Sequence, residues 1–427
     1  MSKGEKEKVK TLFKNARILS MNDDSIIDGD LLVIDTRIAY IGRESDKFAP
    51  FDKIIDCQGN LLMPGFKNAH AHSAMVFIKN KGDNVTLQDW LFKIVFPREA
   101  KLIPSDVYHL NKVAYLDYVS GGITACFDHY FFPLEAAKSA EEFGMRTLLL
   151  ATCDPGKVRI EDLERNAQII NGKKDGLVRY IIGFHAEYTS DDALLDDTKK
   201  IASKIKLPFY THISETEKEV KECIERHGKT PFKFLFEEGL FKYGGGGFHC
   251  VHLTDEEVKI VKDNHLNIIS CPGSNLKLSS GIAPLAKYLK EGINIALGTD
   301  GPASNDGLDM FREMRLAMDN NKNAIKAFEI LKMATVNGAH AMGIMDADVL
   351  SENKLADIIM INLKSKNMNP SQDIFDNLVR NAGKEDVLLT MINGRILYEN
   401  GRYYTNEPVK EIYQKAEEIA RRIEKEL

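Results

Sequence analysis

From Leu61 onward the chain alternates short apolar runs with helical segments, and this rhythm restricts its fold more than any other feature. Each run ends in, or just before, polar or glycine-rich residues. Eight runs follow this pattern: LLMPGF, TACFDHYFF, RTLLLATC, VRYIIGFHA, FYTHI, GGFHCVHL, NIISC and NIALGTDG. Buried strands that alternate with helices indicate parallel βαβ units. Eight such units predict an α/β fold, the (β/α)8 TIM barrel, whose active site lies at the carboxyl ends of the strands.

The two ends of the chain follow a different pattern. Near the start, and again after Asn353, short apolar runs alternate with Asp, Asn and Gly turns, which is typical of a small antiparallel sheet. We therefore expect residues 1–60 and 355–427 to form one small discontinuous β-sandwich domain, with the barrel at residues 61–354. After Asn406, apolar residues recur at helical spacing, which predicts a docked terminal helix.

Charge and cysteine content limit the partners and the compartment. With 57 basic and 63 acidic residues, the net charge of −6 supplies no positive field for nucleic acid. The six cysteines lie far apart and form no CxxC pair, which fits a reducing compartment. Neither a signal peptide nor an apolar run of about 18 residues is evident. We expect a cytoplasmic protein with a small-molecule substrate and no membrane or nucleic-acid partner, and a homo-oligomer is left open.

The strongest local motif is Asn68-Ala69-His70-Ala71-His72, at the end of the first predicted barrel strand. Residues two apart on a strand point to the same side, so both imidazoles are expected to face one point at the barrel mouth. Two neutral imidazoles suit a zinc-like ion. Taken alone, the motif fits two surface histidines equally well.

Three further strand ends decide between these interpretations. His212 and Glu215 end strand five, His249 ends strand six, and Asp300 ends strand eight. The carboxyl ends of barrel strands meet at one face, so these side chains are expected to converge there. We interpret four residues as the metal ligands: His70, His72, His212 and Asp300.

The same strand ends supply groups that can move protons. A bound metal lowers the pKa of its water from about 15.7 toward about 7, which makes hydroxide available at neutral pH. Asp300 can take the first proton, and Glu215 can protonate the substrate and its leaving group. His249 is expected to hydrogen-bond the hydroxide and to stabilise the negative charge that develops during attack. Together these residues predict a hydrolytic metal site.

Several of these strings resemble the amidohydrolase superfamily over nearly the whole chain. MPGFKNAHAH, THISE, FHCVH and LGTDG match its metal and proton-transfer motifs in order, and LADIIMIN and VLLTMINGRILYENGRY resemble its closing sheet. Three longer strings are similar to the branch that holds the 5′-methylthioadenosine and S-adenosylhomocysteine deaminases and the related chlorohydrolases. They are DWLFKIVFPRE, SNLKLSSGIAP and LGTDGPASNDGLDMFREMRLA.

The resemblance implies one divalent metal ion, usually zinc and sometimes iron, at the four residues already interpreted as ligands. In superfamily members with two metals, a carboxylated lysine at the end of strand four commonly bridges them. Here that strand ends Gly183-Phe184-His185, without a lysine. A single metal ion is therefore expected.

The resemblance also implies a nucleoside pocket. By comparison with this branch, Glu99 would bind the ribose hydroxyls, His185 would contact the purine, Trp90 would line the pocket, and Glu215 would contact the substrate. A carboxylate can accept two charge-assisted hydrogen bonds from a cis-diol. An arginine that binds the amino acid carboxylate in the homocysteine-nucleoside deaminases is matched by Ala151 here. A less charged 5′-substituent such as methylthio, or another aminopurine, is therefore preferred.

These observations predict a metal-dependent hydrolytic deaminase of an adenine nucleoside that releases ammonia and the inosine product. The candidate substrates are 5′-methylthioadenosine, S-adenosylhomocysteine or a similar 5′-modified adenosine. Two alternatives remain. The same site could act on guanine, a triazine or a cyclic amide, or the metal could stabilise a barrel that binds a ligand without catalysis. Structural zinc sites are normally closed by four protein ligands and carry no proton shuttle, which disfavours the last alternative.

Overall fold

The computed structural model describes residues 8–81, 87–152, 160–173, 176–305, 307–370 and 373–427. Five strands open the chain: β1 (Lys10–Leu19), β2 (Ile26–Ile34), β3 (Arg37–Gly42), β4 (Lys53–Asp56) and β5 (Leu61–Pro64). In β2, the apolar Leu31, Leu32 and Val33 are buried, whereas Ile27 and Asp28 at its other end are exposed. All five strands belong to one sheet.

Eight consecutive parallel strands then form the barrel. They are β6 (Phe66–Ala71), β7 (Ile123–Tyr130), β8 (Arg146–Thr152), β9 (Val178–Ala186), β10 (Phe209–Ile213), β11 (Gly245–His249), β12 (Asn267–Ser270) and β13 (Asn294–Leu297). Their order in the sheet is their order in the chain, and every hydrogen-bonded pair is parallel. The predicted barrel is confirmed.

Side chains hold the first and last barrel strands together. The Asn68 side-chain amide donates to the Thr299 hydroxyl at 2.8 Å, and the Asn68 Oδ1 atom accepts the backbone N–H of Thr299, also at 2.8 Å. The Asp300 amide donates to the His70 carbonyl at 2.9 Å. This seam therefore joins the two strands at the level where two of the predicted metal ligands leave them.

The barrel interior is filled by apolar side chains. Alternate residues of the strands face the interior. Examples are Ala125 and Phe127 of β7 and Leu148 and Leu150 of β8, all of them buried. Because the interior is packed, a ligand can reach the barrel only at its ends.

The helices pack around the outside of the barrel. They are α1 (Leu87–Trp90), α2 (Phe96–Glu99), α3 (Pro104–Ser120), α4 (Pro133–Phe143), α5 (Ile160–Asn171), α6 (Asp192–Ile205), α7 (Glu217–His227), α8 (Pro231–Glu237), α9 (Asp255–Asp263), α10 (Pro272–Lys277), α11 (Leu285–Lys290), α12 (Met310–Asn320), α13 (Ala327–Ala334), α14 (Val336–Ala341), α15 (Ile374–Arg380) and α16 (Val409–Lys425). The predicted terminal helix is α16, which buries Ile412, Ile419 and Ile423 and packs against α3. Among the described helices, none combines the length and apolar character needed to cross a bilayer.

The last strands return to the first sheet. They are β14 (Ile358–Ile361), β15 (Val387–Ile392), β16 (Arg395–Glu399) and β17 (Arg402–Tyr403). β5 pairs with both β1 and β14, so segments from the two ends of the chain form one continuous mixed sheet. A discontinuous sheet domain is therefore present as predicted, while its exact division at residues 60 and 354 stays a prediction.

One strand assignment was wrong. The sequence pattern placed Leu61–Phe66 in the first barrel strand, but Leu61–Pro64 pairs within the mixed sheet and the barrel begins at Phe66. The four residues of β5 are all buried, as are the six residues of β6. A continuous apolar run therefore does not show where the chain passes from one sheet to the other.

Candidate active site

Four predicted ligands converge at the carboxyl end of the barrel. One ligand atom from each of His70, His72, His212 and Asp300 lies within 4.8 Å of the others. The His70 and His72 Nε2 atoms lie 3.4 and 3.2 Å from the Asp300 Oδ1 atom, and the His72 and His212 Nε2 atoms are 3.3 Å apart. The side chains from β6, from the end of β10 and from just after β13 thus face one point.

Hydrogen bonds fix the orientation of two of the imidazoles. His72 Nδ1 donates to the His129 carbonyl, and His212 Nδ1 donates to the His185 carbonyl, each at 2.6 Å. A proton on Nδ1 leaves the Nε2 lone pair available, which is the arrangement common in histidine metal ligands. His70 is fully buried, and neither ring nitrogen has a hydrogen-bond partner among the described residues. A cation at the shared point would satisfy these atoms.

The protonation states of three of the four predicted ligands suit a cation. Burial lowers the pKa of His70 to about 3 and lowers the pKa of His212 well below its ordinary value, so both imidazoles are neutral. Burial alone would raise the pKa of Asp300, but the neighbouring His70 and His72 hold it well below its usual range. Three imidazoles and a carboxylate are donors that zinc-like ions accept.

The Asp300 carboxylate is held in place by two neighbours. The Ser274 hydroxyl donates to Oδ2 at 2.6 Å, and the Gly301 amide donates to Oδ1 at 2.7 Å. Asp300 has a φ of 59°, a left-handed conformation that non-glycine residues adopt at a cost of about 1–3 kcal/mol. The chain therefore turns sharply to present this carboxylate to the histidines.

The predicted proton-transfer residues lie beside the cluster. Burial raises the pKa of Glu215, whose Oε1 accepts the Ser280 hydroxyl at 2.9 Å. Its Oε2 lies 3.9 Å from His249 Nε2, and His249 Nδ1 lies 2.7 Å from the Asn275 Oδ1 atom. A carboxyl group and an imidazole thus stand together, each held by a side chain from the loop and helix that follow β12.

Glu219 positions the loop that carries Glu215. Its carboxylate accepts the amides of Ser214 and Glu215, each at 2.7 Å, and the Thr216 hydroxyl in turn accepts the Glu219 amide at 3.1 Å. This is a capping box at the start of α7. The prediction missed Glu219, although the Thr-x-x-Glu spacing is a signal that could have found it.

A cavity of about 330 Å³ opens above the cluster. Its polar end contains three of the predicted ligands, all except His70, together with Glu215, His249, His129 and His185. Its walls are mainly apolar or aromatic and include Leu87, Trp90, Leu91, Val95, Phe96, Tyr130, Phe131, Tyr188 and Leu278. This combination suits a small molecule with one polar edge and an apolar remainder.

The predicted substrate-binding residues Glu99, Trp90 and His185 all line this cavity. The Glu99 carboxylate accepts the Tyr130 hydroxyl at 2.7 Å, and the Trp90 indole donates to the Lys81 carbonyl at 3.1 Å. Burial lowers the pKa of His185 to about 3, so its imidazole is neutral. The structure brings the three residues together, and their roles stay predictions.

Some groups around the cavity were not predicted. His129 and Tyr130 at the end of β7 line it, and Ser274 and Ser280 hold carboxylates of the site. The alternation of β7 could have indicated that His129 faces the same way as Phe127. Ala151, on which the predicted preference for the 5′-substituent depends, belongs to β8, and residues 153–159 after that strand lie outside the described residues.

Comparison with known proteins agrees with this arrangement. The amidohydrolase family model matches residues 61–397. A 5-methylthioadenosine/S-adenosylhomocysteine deaminase from Caldanaerobacter subterraneus subsp. tengcongensis is 36% identical over 427 residues, which cover 96% of this chain and 98% of that protein. A 5′-deoxyadenosine deaminase from Methanosarcina acetivorans is 34% identical over 96% of this chain and 98% of its own.

Solved structures share the whole architecture. A zinc-bound adenosine deaminase from Xanthomonas campestris has a TM-score of 0.91 and 25% identity, with 98% of this chain and 99% of that chain covered. The atrazine chlorohydrolase from Arthrobacter aurescens has a TM-score of 0.85 at 23% identity, with 96% and 100% covered. The second likeness shows the fold alone.

Proposed function

This chain belongs to the amidohydrolase family, and we propose that it is a metal-dependent hydrolytic deaminase of an adenine nucleoside, which releases ammonia and the corresponding inosine. One observation supports the proposal above all. A three-histidine, one-aspartate cluster and the Glu215–His249 pair face the same end of a cavity whose remaining walls are mainly apolar. Relatives named as deaminases of 5′-modified adenosines support the choice of substrate.

The residues of the cluster fit a divalent metal ion, and we propose zinc. The fit rests on the buried, unpartnered nitrogens of His70 and on the Nε2 atoms that His72 and His212 leave available. His70, His72, His212 and Asp300 would hold the ion. When bound, it supplies Lewis acidity, which makes a water molecule a nucleophile near neutral pH. A zinc-bound deaminase with the same fold supports this choice over iron.

The reaction replaces the C6 amino group of adenine with oxygen. Water adds to C6, the C6–N6 bond breaks, and ammonia departs. Asp300 can accept the proton that the attacking water loses. Burial raises the pKa of Glu215, which favours its protonated form, and Glu215 can deliver its proton to N1 of the ring. It can then carry the proton of the new C6 hydroxyl to the departing amino group, and the proton held by Asp300 restores the Glu215 acid. His249 stands 3.9 Å from Glu215, and its Nε2 atom can hydrogen-bond the incoming water.

The cavity favours a nucleoside with a small, uncharged 5′-substituent. Its walls offer Trp90, Phe96, Phe131 and Leu278 for the apolar parts of such a molecule. Glu99, which lines the cavity, would accept hydrogen bonds from a ribose diol, and the preference for 5′-methylthioadenosine over S-adenosylhomocysteine rests on Ala151. No observation favours guanine or a triazine, because the solved structures of those enzymes are 22–23% identical to this chain and show the fold alone.

The decisive experiment combines a substrate screen with one variant. The metal-loaded protein is offered adenosine, 5′-deoxyadenosine, 5′-methylthioadenosine, S-adenosylhomocysteine and guanine, and adenine absorbance and ammonia release are followed. Glu215→Gln should retain the metal while kcat falls by about 10²–10⁴-fold, because a positioned proton donor contributes that much. Glu217→Gln, an exposed change two residues away, is the matched control and should turn over normally. No ammonia from any of the adenine nucleosides would refute the proposal.

We also propose that the protein works in a reducing compartment such as the cytoplasm. Five of the six cysteines lie among the described residues, and all five are buried free thiols: Cys57, Cys126, Cys223, Cys250 and Cys271. Burial raises the pKa of Cys57 and of Cys223 to about 12, so these thiols stay protonated. Their chemistry supports the compartment and gives them no part in the reaction.

A further inference from the structure

His129 lies beside the ligand cluster but outside it. Its ring centroid is 5.1 Å from that of His212 and 5.4 Å from that of His72, and its ring lies nearly parallel to His212, at 27°. The residue is 1% exposed and lines the cavity. It is absent from the groups of described residues whose ligand atoms come within 4.8 Å of one another. A role other than metal ligation is therefore indicated.

Neither ring nitrogen of His129 has a hydrogen-bond partner among the described residues, and both atoms are buried. The other imidazoles of the cavity have at least one partner each, apart from the metal-facing His70. These partners are the His129 carbonyl for His72, Thr189 for His185, the His185 carbonyl for His212 and Asn275 for His249. Buried polar atoms without partners cost free energy, and a molecule bound in the cavity that His129 lines would satisfy them.

The position also departs from the pattern of its strand. Ala125 and Phe127 precede His129 at two-residue spacing, face the barrel interior and are apolar. An apolar residue at 129 would extend this core without leaving polar atoms unpaired. A polar residue without partners at a position that suits an apolar one is expected where that residue binds a ligand.

We propose that His129 is a substrate-binding residue, and that one of its ring nitrogens hydrogen-bonds the heterocyclic base of the nucleoside. This assignment rests on the proposed function. The base must place its reacting carbon next to the ligand cluster, and His129 stands against two members of that cluster. A neutral imidazole offers one donor and one acceptor, and the edge of a purine offers the same pair of groups.

The test compares two variants of the same strand. His129→Leu removes both ring nitrogens, whereas Phe127→Leu removes only apolar volume from the barrel core. For His129→Leu in the metal-loaded protein, we expect kcat/KM to fall and the Kd of the product nucleoside to rise by about tenfold or more. Metal content should stay at the wild-type level, and the melting temperature without ligand should be equal or higher. Phe127→Leu should lower the melting temperature and leave the Kd unchanged.

His129→Asn should restore part of the binding, because its amide keeps a donor and an acceptor. An unchanged Kd and kcat/KM in His129→Leu would overturn the proposal. So would loss of metal, which would make His129 a ligand, or a lower melting temperature with normal binding, which would make it structural. The proposed function is tested separately, in the wild-type protein. It would be refuted if the wild-type protein deaminated no adenine nucleoside.

Discussion

Tyr130 connects β7 to the predicted ribose-binding carboxylate. Its hydroxyl donates to the Glu99 Oε1 atom at 2.7 Å, and both residues line the cavity. Burial, and next the nearby Glu99 charge, raise the pKa of Tyr130 well above its ordinary value, so the hydroxyl keeps its proton. The carboxylate is thus held in one orientation before a substrate arrives, which reduces the entropy lost on binding.

Tyr130→Phe should therefore raise the KM for an adenine nucleoside by about 3–10-fold, with little change in kcat, because one hydrogen bond to a charged group is lost far from the reacting carbon. Steady-state kinetics measures both constants. In a Glu99→Ala background the same change should have no further effect. Tyr108→Phe is the matched control, since Tyr108 also donates to a glutamate, Glu142, but outside the cavity. Equal effects of Tyr130→Phe in both backgrounds would contradict the positioning role.

The convergence of the four predicted metal ligands could be foreseen from sequence because each lies at or just after a strand end. His70 and His72 alternate on one strand, and the barrel symmetry brings His212 and Asp300 to the same face. The serines that hydrogen-bond Asp300 and Glu215 could not be identified in this way. Ser274 and Asp300 are 26 positions apart in the chain, and Ser280 and Glu215 are 65 positions apart. Such pairs depend on loop conformation, which has no periodic signal.

The seam between β6 and β13 sets the spacing of the ligands. Gly298 follows β13 directly and has no room for a side chain. An added Cβ would lie 2.7 Å from both the Cβ and the backbone nitrogen of His70, and 2.9 Å from its carbonyl oxygen. That carbonyl accepts the Asp300 amide. Any change that separates these two strands therefore moves two metal ligands at once.

Gly298→Ala should push the strands apart and weaken metal binding. Overpacking of this kind costs about 1–3 kcal/mol, so the melting temperature of the metal-free protein should fall as well. Competition with a chelator, followed by metal analysis, measures the affinity. Gly307→Ala is the control, because nothing lies within 4 Å of the Cβ it would add. Wild-type metal affinity in Gly298→Ala would show that the seam tolerates the extra atom.

Element boundaries were harder to predict than element types. The rhythm of apolar runs predicts eight barrel strands, since a parallel strand buried on both faces needs a continuous apolar stretch. β5 meets the same requirement in the other sheet, where it lies between β1 and β14. Its partner β14 begins at Ile358, almost 300 residues further along, so local sequence contains no information on which sheet β5 joins.

The barrel and the terminal sheet are joined by a buried ion pair at the end opposite the active site. Arg146 begins β8, and Asp357 precedes β14. The guanidinium donates to both carboxylate oxygens, at 2.6 and 2.9 Å. The Asp357 carboxylate also accepts the backbone N–H of Asn393 at 2.8 Å. The Arg146 side chain is 7% exposed and that of Asp357 is not exposed. Because the pair joins the barrel to the terminal sheet, its contribution to the free energy of unfolding measures how strongly the two sheets stabilise each other.

Arg146→Met should lower the free energy of unfolding by about 3–5 kcal/mol, because it leaves the Asp357 carboxylate buried without its cation. Adding Asp357→Asn should recover part of that loss, since the uncompensated charge disappears while an acceptor for Asn393 remains. Denaturant unfolding of the metal-loaded single and double variants measures both effects, and metal content should not change. Lys415→Ala, which breaks the exposed pair with Glu418, should cost at most about 1 kcal/mol. If the double variant were less stable than Arg146→Met alone, hydrogen bonding by Asp357 rather than charge pairing would be what joins the two sheets.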